Sequence, residues 1–341
     1  MNLKKLSKIL GLSQTTVSRA LNGYPEVSEA TRKKVQEVAL AHHYIPNMRA
    51  KSLATGRSMA IGHVIPGSTR REIVNPVFAD FISGAGEVYA QNDHDMLLSI
   101  VADSDEERTY RQLSAKASVD GVIVHGPREN DPRITLLKEL GLPFVVHGRA
   151  GDNHGDYSWV DVNNRRSFER ATEFLFDLGH RKIALINGLE FMDFAQRRKG
   201  GYLAAHRKHG RTPDPELMIS EEMTEDVGYR RALDMLNRAA APSAFLVSSM
   251  ITAIGVRRAI SDAGKKMGRD ISVVIHDDEL SYLPNGVDIP IFTATKSSVR
   301  QAGRLCAQML LDIIREKDLT PRHILLESEL TVGESTGAFQ K

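Results

Sequence analysis

The sequence predicts an α/β protein: a small three-helix head followed by two doubly wound lobes with parallel sheets. Three observations carry this. A length of 341 residues suits two domains, or a large domain with an appendage. Charge is split, because residues 1–58 hold ten basic and three acidic residues (+7) while the rest hold thirty-five and forty (−5), beneath a formal net charge of +2. From Met59 onward, short β-rich apolar runs alternate with longer helical stretches, the pattern of parallel sheets covered on both faces.

Composition narrows the class. With 41% hydrophobic and 26% charged residues, the chain is neither collagen-like, coiled-coil nor disordered. A single cysteine, Cys306, excludes a disulfide framework and a multi-cysteine zinc module, and it falls on an apolar helix face as a core residue. No apolar run approaches the roughly 18 residues of a membrane span. The opening MNLKKLSKIL lacks the apolar region and cleavage site of a secretory signal. The expectation is a soluble, cytoplasmic protein.

In the head, Leu3, Leu6, Ile9 and Leu10 recur at helical spacing behind an Asn2 N-cap, and Gly11 marks the stop. Ser13 caps a second helix, Gln14 to Leu21, ending at Asn22-Gly23. Ser28 caps a third that runs to about His43. Two short helices about a Gly-containing turn, then a third, form a helix-turn-helix domain. A recognition helix sets its first residues against base edges in the major groove. Gln14 and Thr15, with Arg19 one turn later, have the chemistry for such contacts, since Gln pairs with adenine and Arg with guanine. Thr16, Ser18 and the helix start suit phosphates. A solvated three-helix bundle is the alternative reading of this segment.

In the body, strands are expected at 60–66, 96–101, 120–126, 143–148, 157–162, 182–188, 244–249, 272–277 and 291–295. Ligands of such sheets bind outside the carboxyl ends of the strands. No GxSxG, Walker loop, HExxH or CxxC occurs, so neither an enzyme nor a cofactor is expected. Ser83-Gly84-Ala85-Gly86 reads as helix packing. His125, His147 and His276 end three strands and line a cleft, in no metal-ligand spacing, so no metal is expected. Asp277 and Asp278, adjacent on a strand, point to opposite faces and make no catalytic dyad.

Residues 6–66 resemble the N-terminus of the lac repressor and galactose repressor family: TVSRALNG, VSEATRKKV, the turn of Tyr44, Pro46 and Asn47, and an Ala-x-Ser-Leu-x-Thr-Gly hinge. The resemblance continues to about residue 337. It implies a periplasmic-binding-protein-like core of two Rossmann-like lobes. It also implies a helix-turn-helix domain over 1–46, a hinge over 47–58 and an effector-binding, dimerising core over 59–341. The first lobe would comprise about 59–160 and 291–320, and the second about 161–290 and 321–337. DNA contact is implied for Ser13, Gln14, Thr15, Thr16, Ser18, Arg19, Asn22, Asn47 and Arg49. Leu53 and Ala54 match positions that wedge a base step in the minor groove.

Effector contact is expected of Asn75, Phe78, His125, Arg149, Trp159, Asp161, Asn163, Asp193, Phe194, Arg198 and Asp277. Carboxylate, amide and guanidinium groups bind sugar hydroxyls, with an aromatic as platform. Asp161 and Asn163, two apart, would share a strand face. An Arg198–Asp277 structural ion pair is the alternative for those two, and a packed core aromatic is the alternative for Trp159. The chain departs from the family pattern at Ser249-Met250, Ile275-His276 and Gly333, which bears on the effector's identity. The HGR and WVD elements resemble the subgroup regulating α-glucoside use. The expected protein is a homodimeric repressor of carbohydrate genes on a palindromic operator in double-stranded DNA, with a small sugar in the interlobe cleft. A sugar receptor without DNA lacks a use for Gln14, Thr15 and Arg19, and a sugar-modifying enzyme lacks a nucleophile or metal set.

Overall fold

The computed structural model describes residues 1–21, 23–44, 57–66, 75–151 and 155–340. These fall into two compact units, Met1–Met59 and Ala60–Lys341. Of the expected hinge over 47–58, residues 47–56, with Asn47, Arg49, Leu53 and Ala54, lie outside the described residues, as does Asn22.

The first unit is three helices: α1 (Leu3–Leu10), α2 (Gln14–Leu21) and α3 (Glu29–Ala41). Each begins at a side-chain cap that satisfies an amide the helix cannot. Asn2 Oδ1 accepts from Lys5 N, Ser13 Oγ from Thr16 N, and Ser28 Oγ from Thr31 N. Gly11, at φ 65°, closes α1 in the left-handed region that glycine tolerates. Leu6, Leu10, Val17, Ala20, Val35 and Ala39 form the small core. Because Val17 and Ala20 turn inward, Gln14, Thr15 and Arg19 are exposed together on the outer face of α2.

The second unit holds two six-stranded sheets. The first takes β1 (Ala60–Pro66), β2 (Asp95–Val101), β3 (Gly121–His125), β4 (Phe144–His147) and β5 (Trp159–Val162) in the order 2-1-3-4-5. Helices α4 (Pro76–Gln91), α5 (Glu106–Ala115) and α6 (Pro132–Glu139) connect them. The chain then crosses to the second lobe through α7 (Asn164–Asp177). There β6 (Ile183–Asn187), α8 (Asp193–Lys208), β7 (Met218–Ser220), α9 (Glu225–Leu236), β8 (Ala244–Val247), α10 (Met250–Asp262), β9 (Ser272–Asp277) and β10 (Thr293–Lys296) repeat the same winding.

The return path differs from expectation. Residues 293–296 pair in parallel with β9, Thr293 opposite Val274, so they belong to the second sheet and not to the first lobe. The chain returns only after them, into α11 (Val299–Glu316), which packs on the first sheet. β11 (His323–Leu326) then pairs in parallel with β5 in the first sheet, and β12 (Glu329–Thr331) runs antiparallel to β10 in the second. The lobes are therefore joined by three crossings, near 163, 297 and 327. An apolar run carries no record of which sheet edge it will extend.

Strand periodicity builds the layers. On the first sheet Ile61, Ile123 and Val145 face α4 and α11, while Val64, Val122, Val124 and Val146 face α5 and α6. On the second, Ala184, Ile186, Phe245, Val247 and Val273 meet α9 and α10, and Leu185, Leu246 and Val274 meet α7 and α8. The covering helices pack at glycines. A Cβ on Gly84 would stand 2.1 Å from Arg300 O, and one on Gly201 would stand 2.0 Å from Arg165 O, while its neighbour Gly200 has open space. Gly201→Ala must push α8 off α7 and is expected to lower stability by about 1–3 kcal/mol. Gly200→Ala, in the same helix, should be neutral or stabilising by up to about 1 kcal/mol. Paired urea titrations check this, and equal midpoints for the two variants would refute the close-packing assignment.

Candidate functional site

Both sheets reverse their winding direction between the first and third strands, and such switch points open crevices at carboxyl ends. A cavity of about 190 Å³ lies there, between the lobes. From the first lobe it takes Asn75, Val77, Phe78, Phe81, His125, Gly126, Pro127, His147, Gly148, Asp161 and Val162. From the second it takes Asn164, Met192, Phe194, Arg198, Met223, Ser248, His276 and Asp278, and Ser297, Val299 and Ala302 close it at the crossing into α11.

Arg198 is the central charge. It is buried on α8, its Nε donating to Asn164 Oδ1 (2.8 Å) and its Nη1 to Ser248 O (2.7 Å). Phe194 and Phe168 flank the guanidinium at 4.9 and 5.1 Å from the ring centroids. Burial draws its pKa down to about 10, against the attraction of Asp278 and Asp161, so it stays charged at neutral pH. Neither carboxylate makes an ion pair with it within 4.0 Å among the described residues. Burial opposes ionisation of Asp278, yet His276 Nε2 at 3.4 Å and the nearby Arg198 hold its carboxyl below the ordinary range. Burial raises Asp161, although Arg149 Nε donates to its Oδ2 at 2.7 Å.

The histidines form the other polar element. His63 Nδ1 lies 2.9 Å from His125 Nε2, and His63 Nε2 lies 3.1 Å from Tyr89 Oη. Phe81 stacks on His147 at 4.4 Å. Burial pulls His63 down to about 3 and His147 to about 4, and it also lowers His125 and His276. Among the described residues no group of three or more His, Cys, Asp or Glu is placed to hold a metal ion. Cys306 is buried in the first core, where burial pushes its thiol up.

Six of the expected effector residues line the cavity: Asn75, Phe78, His125, Asp161, Phe194 and Arg198. Five do not. Arg149 turns to Asp161 and lies over Trp159 at 5.1 Å, while Trp159 stacks on His323 at 4.8 Å in the core. The HGR and WVD elements thus meet, and together they hold Asp161 at the cavity wall. Asn163, past the end of β5, caps α7 by accepting from Arg166 N and donates to Glu327. Its backbone has left the extended conformation, so the two-residue period fails and Asn164 faces the cavity instead. Asp277 accepts from Glu279 N at 2.9 Å and lines a separate groove, so neither the expected ligand contact nor the Arg198–Asp277 ion pair forms; its neighbour Asp278 occupies the cavity. Asp193 accepts from Gly151 N and pairs with Arg197.

Asp193 belongs to a clasp between the lobes. Arg128 and Met192 form an antiparallel bridge, Asp193 N donates to Pro127 O at 3.0 Å, and Arg197 Nη2 donates to Gly151 O at 2.5 Å. Sequence reading missed Asn164, Ser248, Asp278, Met192 and Met223. Ser248, directly after a buried strand, carries the strand-end signal that could have found it; Met223 sits in a loop that carries none. In the head, Gln14, Thr15 and Arg19 are exposed and Ser18 is half-exposed, while the Ser13 and Thr16 hydroxyls bond each other at 2.9 Å in the cap of α2.

These four imidazoles, like the buried His180 and His206, whose pKa burial also lowers, have a consequence for stability. Each is neutral when folded and titrates near 6.5 when exposed. Their contribution is full above pH 6.5 and is lost as pH falls toward folded values of about 3 for His63 and about 4 for His147. Unfolding titrations should show stability falling below pH 6.5 by up to about 1.4 kcal/mol per pH unit for each imidazole. His147→Gln should reduce that slope by one proton; an unchanged slope would place the acid sensitivity elsewhere.

Residues 3–47 match the family model described as "Bacterial regulatory proteins, lacI family", and residues 172–336 match "Periplasmic binding protein-like domain". The HTH-type transcriptional regulator AglR of Rhizobium meliloti (strain 1021) is 44% identical over 338 residues, 99% of this chain and 94% of that protein. A transcriptional regulator CelR–cellobiose complex superposes with a TM-score of 0.72 at 27% identity, covering 98% of this chain and 99% of that one. A lac repressor dimer bound to operator and the anti-inducer ONPF gives 0.83 at 23% identity, covering 99% of each, a likeness of fold. No described helix is long and apolar enough to cross a membrane.

Proposed function

The chain belongs to the lacI family of bacterial regulatory proteins, and we propose that it represses carbohydrate-utilisation genes, those for α-glucosides in particular, under the control of a sugar bound beside Arg198. It is a DNA-binding regulator and not an enzyme. It works in the cytoplasm as a homodimer on a palindromic operator, whose half-sites match the two-fold axis of the protein. Gln14, Thr15 and Arg19 read base edges. The division at 1–46, 47–58 and 59–341 assigns reading, hinge and sensing to separate segments.

One observation carries the sensing role: Arg198 is buried between two carboxylates that it does not bridge, with aromatic faces beside it. A sugar hydroxyl is donor and acceptor at once, so one hydroxyl accepts from the guanidinium while donating to Asp278 or Asp161. Phe78 and Phe194 offer apolar faces to the C–H side of a pyranose. The cellobiose in the CelR complex, a β-linked pyranose disaccharide, is bound by a protein of similar fold. Because the wall comes from both lobes, the sugar favours one lobe arrangement over another, and its differential affinity sets how far operator binding shifts.

A gel shift of the full chain against a palindromic duplex library, with and without a panel of α- and β-linked glucosides, tests this. One duplex should be retained at physiological salt, and an α-glucoside should change its affinity by about 5–150-fold. No preference over random duplex would refute the regulator reading, and a response to β-linked sugars alone would refute the α-glucoside assignment. Arg198→Gln should retain operator binding and lose the sugar response; retained induction would remove Arg198 from the site. Arg19→Ala should relax base preference at one position per half-site by about 1–3 kcal/mol. A uniform loss on all duplexes would reassign it to phosphate contact.

A further inference from the structure

We propose that His63 and Tyr89, behind the cavity wall, are positioning residues that fix His125 as a hydrogen-bond donor, so that the effector presents an acceptor oxygen at this wall. The proposal rests on the reading of the cavity as the effector site.

The geometry is a three-member chain. His63 lies on β1, fully buried, with Nδ1 2.9 Å from His125 Nε2 and Nε2 3.1 Å from Tyr89 Oη on α4. The two imidazole planes differ by 24°, which suits an in-plane N–H···N bond. Phe78 and Phe81 meet the His125 ring edge-on at 5.2 and 4.9 Å and hold its orientation. His125 lines the cavity, and its Nδ1 bonds to none of the described residues. Burial keeps both imidazoles neutral and the phenol protonated.

A neutral imidazole carries one N–H, so only two arrangements run along this chain. In the first, Tyr89 donates to His63 Nε2, His63 Nδ1–H donates to His125 Nε2, and His125 carries its proton on Nδ1. In the second, His125 Nε2–H donates to His63 Nδ1, His63 Nε2–H donates to the Tyr89 oxygen, and His125 Nδ1 is a lone pair. The second strands the Tyr89 proton: Tyr89 is 1% exposed, and His63 is the sole hydrogen-bond partner of its hydroxyl among the described residues. A buried donor without an acceptor is disfavoured by about tenfold to a hundredfold in population. The first arrangement leaves no proton unbonded inside the wall. His125 therefore offers N–H to the effector, as Arg198 does from the other lobe, and the acceptors Asp161 and Asp278 lie elsewhere in the cavity.

Nitrogen-15 NMR of the histidine rings in the full chain reads this tautomer directly and requires no effector, with His125 assigned by the signal lost in His125→Gln. The expected wild-type form is Nδ1–H. His63→Leu should give a mixture of both forms and weaken binding of any glucoside found in a thermal-shift screen by about threefold to thirtyfold. Tyr89→Phe, which keeps both imidazoles and the packing, should move His125 in the same direction. A wild-type Nε2–H form, or an unchanged tautomer in both variants, would overturn the relay. If no sugar in the screen binds, the sensing role fails, while the ring spectra still decide the relay.

Discussion

A buried guanidinium with too few partners organises the sensing half of this molecule. Isolated charges cannot be left in a protein interior without strong compensation. Arg198 receives that compensation from three elements of the second lobe: Asn164 at the start of α7, Ser248 after β8, and the aromatic faces of Phe168 and Phe194. Its Nη2 makes no hydrogen bond to the described residues, and its counter-charges, Asp161 and Asp278, stand off without bridging it. The proposed sugar, with several hydroxyls, would complete this set. The same charge helps keep Asp278 ionised and His276 neutral, so it sets the polarity of the surrounding wall.

Much of this was legible in the sequence. The head followed from caps and a glycine stop, because Asn2, Ser13, Ser28 and Gly11 act locally and need no tertiary partner to be recognised. The lobes followed from apolar strands at regular intervals, and the cavity position from the strand-end rule, which found His125, whereas Arg198, inside a helix, came only from the family motif. The failures are of two physical kinds. One is phase: the alternation of side chains holds only while the backbone stays extended, so the spacing from Asp161 points to Asn163, just past β5, where Asn164 stands, while Asp277, expected from its place at a strand end, faces a separate groove and Asp278 shares the cavity face with His276. The other is partnership. Arg149 and Trp159 carry chemistry suited to a sugar, yet they satisfy each other and Asp161, and a pairing of residues 12 or fewer apart through a loop leaves no periodic trace. The lobe assignment of 293–296 and 323–326 failed likewise, since sheet membership is a long-range choice between edges.

Coupling between sugar and operator requires that the two lobes have more than one arrangement with comparable free energy. The contacts across the cleft are suited to that. On one side the clasp joins Arg128, Pro127 and Gly151 to Met192, Asp193 and Arg197. On the other, Asp80 of α4 accepts from both Ser281 N (2.8 Å) and Ser281 Oγ (2.6 Å), and Leu280 enters the first lobe's core. Each set is small and local, the first polar and the second with Leu280 as its apolar anchor, of the kind that can break without unfolding either sheet.

The two ends of the second contact also line the cavity. The segment running from Asp278 to Ser281 touches the cavity with its first residue and docks on α4 with its last. Helix α4 touches the cavity with Asn75, Phe78 and Phe81 and holds Ser281 through Asp80 between them. A sugar gripping Asp278 and Phe78 therefore pulls on the same pair of elements that Asp80 and Ser281 connect. A ligand held by one lobe alone would bind every arrangement equally and shift nothing, however tightly it bound. On the proposed reading, it is the division of the cavity wall between lobes that would give a bound sugar unequal affinity for the two arrangements, and such an inequality is what a regulatory signal requires.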